Sequence, residues 1–254
     1  MRKAMVYAFC LVLVVGSAWE SSAGILRFSR TTDTVSLSGD SVMTTAATYE
    51  AVVMPFGGGS IFNEWKSGYE DKYLGTGPTG YTWTHNPYPQ ALTPTVEWTL
   101  GEWHHIAYVF SEGDERLFLD GLLVGHRGTP TTIRNGSDST GALGAIFRDG
   151  GIRYSFIGLL KCLRISTVAR YSGDSFPVPV GDLSSDQYTN LLYSFDEPVG
   201  STTVSDLSGN GRTGTLGVGF TGATSPEFVP EPSSVFALAC GLMGLLAIRR
   251  RKAG

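Results

Sequence analysis

Apolar and polar residues alternate through much of the middle of this chain, with the period of two that turns one face of a strand inward and the other outward. The clearest stretch is Trp103–Gly125. Trp103–Phe110 alternates as a first strand, Ser111-Glu112-Gly113-Asp114 is a turn cluster, and Glu115–Leu119 is a second strand. Asp120-Gly121 predicts a two-residue hairpin turn, because such turns need positive φ and Asp and Gly tolerate it. A third strand follows over Leu122–Val124 and toward His126.

The same reading extends in both directions. Ile25–Ser29 and Thr34–Leu37 alternate around a turn at Arg30–Asp33. Thr48–Pro55 is a strand, Gly57-Gly58-Gly59 turns the chain, and Ser60–Trp65 returns, with short strands at Asp71–Leu74 and over 81–85. Thr129–Thr140 is a polar loop. Ala142–Phe147 reads as one strand ended by Asp149-Gly150-Gly151, and Arg153–Ser166 is long and apolar. The pattern predicts a single all-β domain, a size that sandwiches reach as one unit.

The two ends break the pattern. Arg2 and Lys3, the apolar run Ala4–Gly16 and the small residues after it form a secretory signal, with cleavage after Ala23 or, less well placed before the strand at Ile25, after Ala18. An uncleaved anchor is the alternative, although the run is shorter than a span of about 20 residues. At the other end stand Pro230-Glu231-Pro232, the apolar run Val235–Ile248, and Arg249-Arg250-Arg251-Lys252. That run reaches about 21 Å as a helix, against a hydrocarbon core of about 30 Å, so it makes a short transmembrane helix. The basic end stays cytoplasmic and the β-domain lies outside. The expected organisation is a signal peptide over 1–23, the domain over 24–222, a linker with Pro-Glu-Pro over 223–232, and a sorting segment with a basic end over 233–254.

Charge and cysteine usage narrow the function. Removing 1–23 and 231–254 takes six basic and two acidic residues from totals of 19 and 23, which leaves the middle at a net charge of −8. Such a surface argues against nucleic acid and anionic lipid as partners. Of the three cysteines only Cys162 lies between the two end segments, so neither a disulfide framework nor a cysteine metal site is expected. It reads as a small buried apolar residue.

Trp103-His104-His105-Ile106-Ala107, followed by Leu117-Phe118-Leu119-Asp120-Gly121, resembles the core of LamG-like domains of the concanavalin A-like lectin/glucanase fold. The opening Leu26-x-Phe28 and Val35-x-Leu37 and the strand Thr48–Val53 are similar to that family too, although Val52 stands where an aromatic is common. The resemblance implies a two-sheet antiparallel jelly-roll. In the family's closing strand an Asp-Glu pair is usual; here Lys161 and Cys162 stand in that place. Leu191–Glu197, Asp206–Gly211 and Gly214–Leu216 resemble a segment that often opens such domains but here comes late, and a circularly rearranged edge strand is expected; a truncated second copy is the alternative. Pro-Glu-Pro, a short apolar helix and an Arg cluster resemble the PEP-CTERM sorting signal of Gram-negative bacteria. That resemblance implies an exosortase, a membrane protease, as a partner, contact with the inner membrane through the C-terminal helix at least transiently, and either anchoring there by that helix or release to the cell surface or an exopolysaccharide or biofilm matrix.

No catalytic constellation emerges. Retaining glycosidases need two carboxyl groups about 5–5.5 Å apart, and the nearest candidates, Glu64, Glu70 and Asp71, are wrongly spaced around a turn at Ser67-Gly68 and read as solvated loop charges. His104 and His105 point to opposite faces of a strand and cannot share an ion; one packs in the core and the other on the open face. Calcium is the cofactor the wider fold would admit, with Asp114, Asp120, Asp138, Asp149, Asp196 and Asp206 as loop carboxylates. Asp120 and Asp206 are as well explained by their turns, and no metal ligand is assigned. Tyr81, Trp83 and His85 fall on one face of a strand, with Tyr88 just beyond and Trp65 as a neighbour. Their rings form either part of the core or a platform for sugar rings. The expected function is non-enzymatic binding of glycan or matrix by an exported protein; the alternatives are a polysaccharide-active glycosidase or lyase, and a structural surface protein that contacts other proteins.

Overall fold

The computed structural model describes residues 24–37, 46–66, 69–76, 81–83, 91–92, 97–111, 113–128, 140–148 and 151–230. Among them the regular elements are all strands. In chain order these begin with β1 (Ile25–Phe28), β2 (Val35–Leu37), β3 (Ala46–Pro55), β4 (Gly59–Lys66), β5 (Tyr69–Thr76) and β6 (Tyr81–Trp83). Next come β7 (Ala91–Leu92), β8 (His104–Ser111), β9 (Asp114–Leu119), β10 (Leu122–Arg127), β11 (Thr140–Leu143) and β12 (Ile146–Arg148). The chain closes with β13 (Gly151–Arg153), β14 (Gly158–Ser166), β15 (Thr189–Tyr193), β16 (Thr203–Val204), β17 (Gly214–Leu216) and β18 (Glu227–Val229).

Two antiparallel sheets carry the fold. The first runs β10-β9-β8-β3-β14-β1-β18, with β15 also on β14; the second runs β16-β17-β2-β11-β4-β5-β6-β7. Neighbours across a sheet share a face, so the core can be read as rows. In the second sheet one row passes through Leu216, Val35, Leu143, Phe62, Leu74, Thr82 and Leu92. Every apolar member of it is buried. In the first sheet Leu163, Ala51, Ile106 and Leu119 form a comparable row. Tyr49 of β3 meets Phe62 of β4 between the sheets, ring centroids 5.5 Å apart.

The hairpin expected at Asp120-Gly121 has its primed geometry, with φ of 50° and 77° at the two residues. Asp120 also accepts the backbone N–H of His105 at 2.8 Å on Oδ1, so the turn is tied back to the strand opposite.

Three expectations need correction. Ala142–Phe147 is not one strand: β11 ends at Leu143 and β12, which pairs with β13, begins at Ile146. The break is Gly144, at φ 85°, where a Cβ would lie 2.3 Å from the Phe28 ring. Residues 223–229 are not linker. β18 pairs with β1, Ile25 opposite Val229, and Phe228 is buried in the core. The late segment does not form one edge strand. β15 lies beside β14 in line with β1, while β17 enters the second sheet between β16 and β2. One stretch of chain thus completes both sheets.

No strand occurs between Ser166 and Thr189; this stretch is a strap across the outer face of the first sheet. Tyr171 and Phe176 stack at 3.6 Å and cover Ala107, Val109 and Phe118, and Leu183 covers Cys162 and Leu192. The signal segment and the tail helix lie outside the described residues.

Candidate functional site

The register fixes the face on which the sequence-derived aromatic positions fall. Thr82 sits in the core row between Leu74 and Leu92, which are 1% and 7% exposed. Positions alternate along a strand, so 81 and 83 belong to the other face of the second sheet. Position 83 lies opposite position 73 on β5, and 73 lies opposite Asn63 on β4. Position 65 follows Asn63 by two on β4, opposite Thr140. Positions 65, 73, 81 and 83, each a tyrosine or tryptophan in the sequence, therefore alternate with the core row of the second sheet. His85 and Tyr88 lie outside the described residues.

Asn63 shows how one side of this face is built. Its side-chain amide is buried and donates to the Ala142 carbonyl at 3.5 Å and also to that of Ala145. The amide holds the entry to the β12–β13 hairpin against the sheet.

Glu64 and Asp206 have structural partners. Glu64 is not a solvated loop charge: it lies within β4, is 2% exposed, and meets Arg212 at 3.4 Å. Glu70 and Asp71 belong to β5 rather than to a loop. Asp206 accepts the backbone N–H groups of Leu192 at 3.1 Å, Ser208 at 2.9 Å and Arg212 at 3.0 Å. Burial pushes the Asp206 pKa up, and these hydrogen bonds more than reverse it, leaving the carboxyl below its usual range. Among the described residues no group of three or more His, Cys, Asp or Glu side chains is arranged to hold a metal ion.

A family model for the concanavalin A-like lectin/glucanases superfamily matches residues 29–174, more than half of the chain. The chain belongs to this superfamily. A PEP-CTERM protein-sorting motif matches residues 228–252 and marks the protein for export. Among solved structures, a putative carbohydrate binding protein from Bacteroides ovatus is similar at 17% identity and TM-score 0.58, over 76% of this chain and 58% of that one. Domains LG4-5 of the mouse laminin alpha1 chain align at 12% identity and TM-score 0.50, over 72% of this chain and 46% of theirs. A SAP-like pentraxin from Limulus polyphemus aligns at 20% identity and TM-score 0.46, over 58% of this chain and 77% of its own. These likenesses are of fold. Comparison with curated protein sequences found no match.

On the first sheet of this concanavalin A-like domain, the His-His pair divides between the faces. His104 lies on the core side beside Trp98, with Nδ1 2.7 Å from Asp120 Oδ2 and Nε2 3.0 Å from the Thr99 carbonyl. His105 lies on the outer side, which is not open here. The strap covers it, and His105 is 4% exposed with Nε2 donating to Glu50 at 3.1 Å. Glu50 also accepts from Arg164 Nε at 2.8 Å and from the Tyr171 hydroxyl at 2.7 Å. Burial raises the Glu50 pKa, but the His105 hydrogen bond, Arg164 and Tyr171 together outweigh it and hold the carboxyl below its usual value. Sequence reasoning missed this cluster, because its members come from β3, β8, β14 and the strap. The available signal was a Glu at the centre of a strand otherwise apolar or neutral, since a buried carboxylate requires partners.

Proposed function

We propose that this is an exported, non-enzymatic glycan-binding protein whose binding surface is the outer face of the second sheet. The observation that carries this reading is the register, which sets positions 65, 73, 81 and 83 on the face opposite the core row. Flat rings on an outward face suit sugar rings, whose axial C–H groups pack on an aromatic surface while hydroxyls reach polar groups at its edge. Membership of a lectin-containing superfamily supports the reading, and so does the fold likeness to a putative carbohydrate binding protein. The sorting motif supports export by a Gram-negative cell, tail processing by an exosortase, and a final place at the cell surface or in its exopolysaccharide matrix. Before processing, the C-terminal helix holds the domain at the inner membrane.

The test is a glycan array probed with the full chain in a non-glycosidic detergent, with and without calcium. Binding to a polysaccharide that is lost in Trp83→Ala, with the thermal midpoint unchanged, is the expected result. Binding to no glycan under either condition would sink the proposal.

A further inference from the structure

The first sheet has a pocket of its own, on the face opposite the aromatic row. His105 points to the outer side of the first sheet, where Val52 and Cys162 continue the row, and Trp103, just before β8, lines the same pocket. The strap passes over this row at Val178–Gly181 without filling it. A cavity of about 250 Å³ is left between strap and sheet. That is just under the ~300–1,000 Å³ of pockets for drug-sized ligands; it has room for one sugar ring and not for a chain.

The lining is chemically mixed. Val52, Val178 and Pro179 make an apolar wall, and Trp103, partly exposed, adds an aromatic one. Two charged side chains also line it and remain open to solvent: Asp120 with 49% and Lys161 with 31% of the side chain exposed. Asp120 is held rigidly, one oxygen on the His105 N–H and the other on His104 Nδ1. Lys161 Nζ stands 3.7 Å from Asp182 Oδ1. His105, on the floor, has Nε2 engaged by Glu50, while its buried Nδ1 has no partner in the protein.

We propose that this pocket is a second saccharide site that takes a single pyranose unit or chain end. The ring's apolar face lies on Trp103, and its hydroxyls donate to the Asp120 carboxylate and accept from Lys161. A fixed carboxylate and a nearby ammonium beside a flat apolar surface match a ring that carries both an apolar face and a rim of hydroxyls. The site is independent of the aromatic row, so the domain would hold a polymer on one face and a terminus on the other.

The test is saturation-transfer NMR with the full chain in a non-glycosidic detergent and the methyl glycosides of glucose, galactose, mannose, N-acetylglucosamine and glucuronic acid. Transfer to at least one glycoside is expected. Its apparent affinity should fall at least tenfold in both Trp103→Ala and Lys161→Ala and stay unchanged in Trp83→Ala. Lys161 is outside the core, so its variant guards against a folding defect, and Val178→Trp, which fills the cavity, should act like Trp103→Ala. No transfer to any glycoside overturns the proposal, as does transfer that survives Trp103→Ala and Lys161→Ala. Transfer lost in Trp83→Ala alone overturns the pocket while upholding the outer face of the second sheet.

Discussion

Arg164 donates from Nε to Glu50 Oε1 at 2.8 Å, and the carboxylate it meets is fully buried beneath the strap. Arg164 also donates from Nη1 to the Ser184 carbonyl at 2.9 Å, so one guanidinium joins β3, β14 and the strap. Removing one member of a buried ion pair strands the other charge, at a cost of about 3–5 kcal/mol. Arg164→Met should therefore lose stability on that scale in urea unfolding, whereas the surface variant Lys161→Ala should change it by less than about 0.5 kcal/mol. A loss in Arg164→Met no larger than in Lys161→Ala would show that the cluster contributes nothing.

The same carboxylate sets a pH dependence. The folded pKa of Glu50 lies below its ordinary value of 4.5. A depressed folded pKa adds stability that is fully present above the unfolded value and disappears as the pH falls through the folded one. Stability should thus hold above about pH 5 and decline as the solution is made more acid. Asp206 and Asp186, whose pKa values are also lowered, add to the same slope. Comparing urea midpoints between pH 7 and 3 should show a shallower decline in Glu50→Gln than in the wild type; parallel declines would exclude Glu50 as a source.

The strand β18 belongs to the domain, and Phe228 is its anchor at 3% exposure. Truncating a buried Phe costs about 3–5 kcal/mol. Phe228→Ala should be destabilised by that order in chemical denaturation, and a chain ended at Gly222 by more, because the outer edge of β1 then loses its partner. Unchanged stability on truncation would mean that 223–229 act as a tether after all.

Cys162 sits under Leu183, and burial pushes its thiol pKa up to about 12. A thiol in that state is a poor nucleophile. Iodoacetamide should leave Cys162 unmodified in the native protein at pH 8 and alkylate it in urea, as read by peptide mass mapping. Rapid labelling of the native protein would show that the strap opens readily.

The parts of the fold legible in the sequence were those decided by residues near each other along the chain. Alternation from Trp103 to Val124 located three strands, and Asp120-Gly121 located their turn, because strand faces and left-handed turn residues are local properties. Gly144 misled the reading of Ala142–Phe147. The steric demand at that position comes from Phe28, far away in sequence, so the break leaves no local mark. Phe228 and Val229 resembled linker for a similar reason: three residues between prolines become a strand only when β1 offers an unpaired edge.

The candidate sites divide along the same line. That Tyr81 and Trp83 share a face follows from strand geometry alone. Which face it is depends on Thr82 lying between Leu74 and Leu92, and those pairings exist only once the second sheet is assembled. His104 and His105 were certain to point apart. Whether the outer one met solvent depended on the strap, held there by Tyr171, Phe176 and the Glu50 cluster. Local alternation and turn chemistry were enough to specify an all-β domain, and the C-terminal motif was enough to mark the protein for export. Long-range pairing and the path of one irregular segment decided which faces stay open, because burial is a property of what packs on a residue and not of the residue itself.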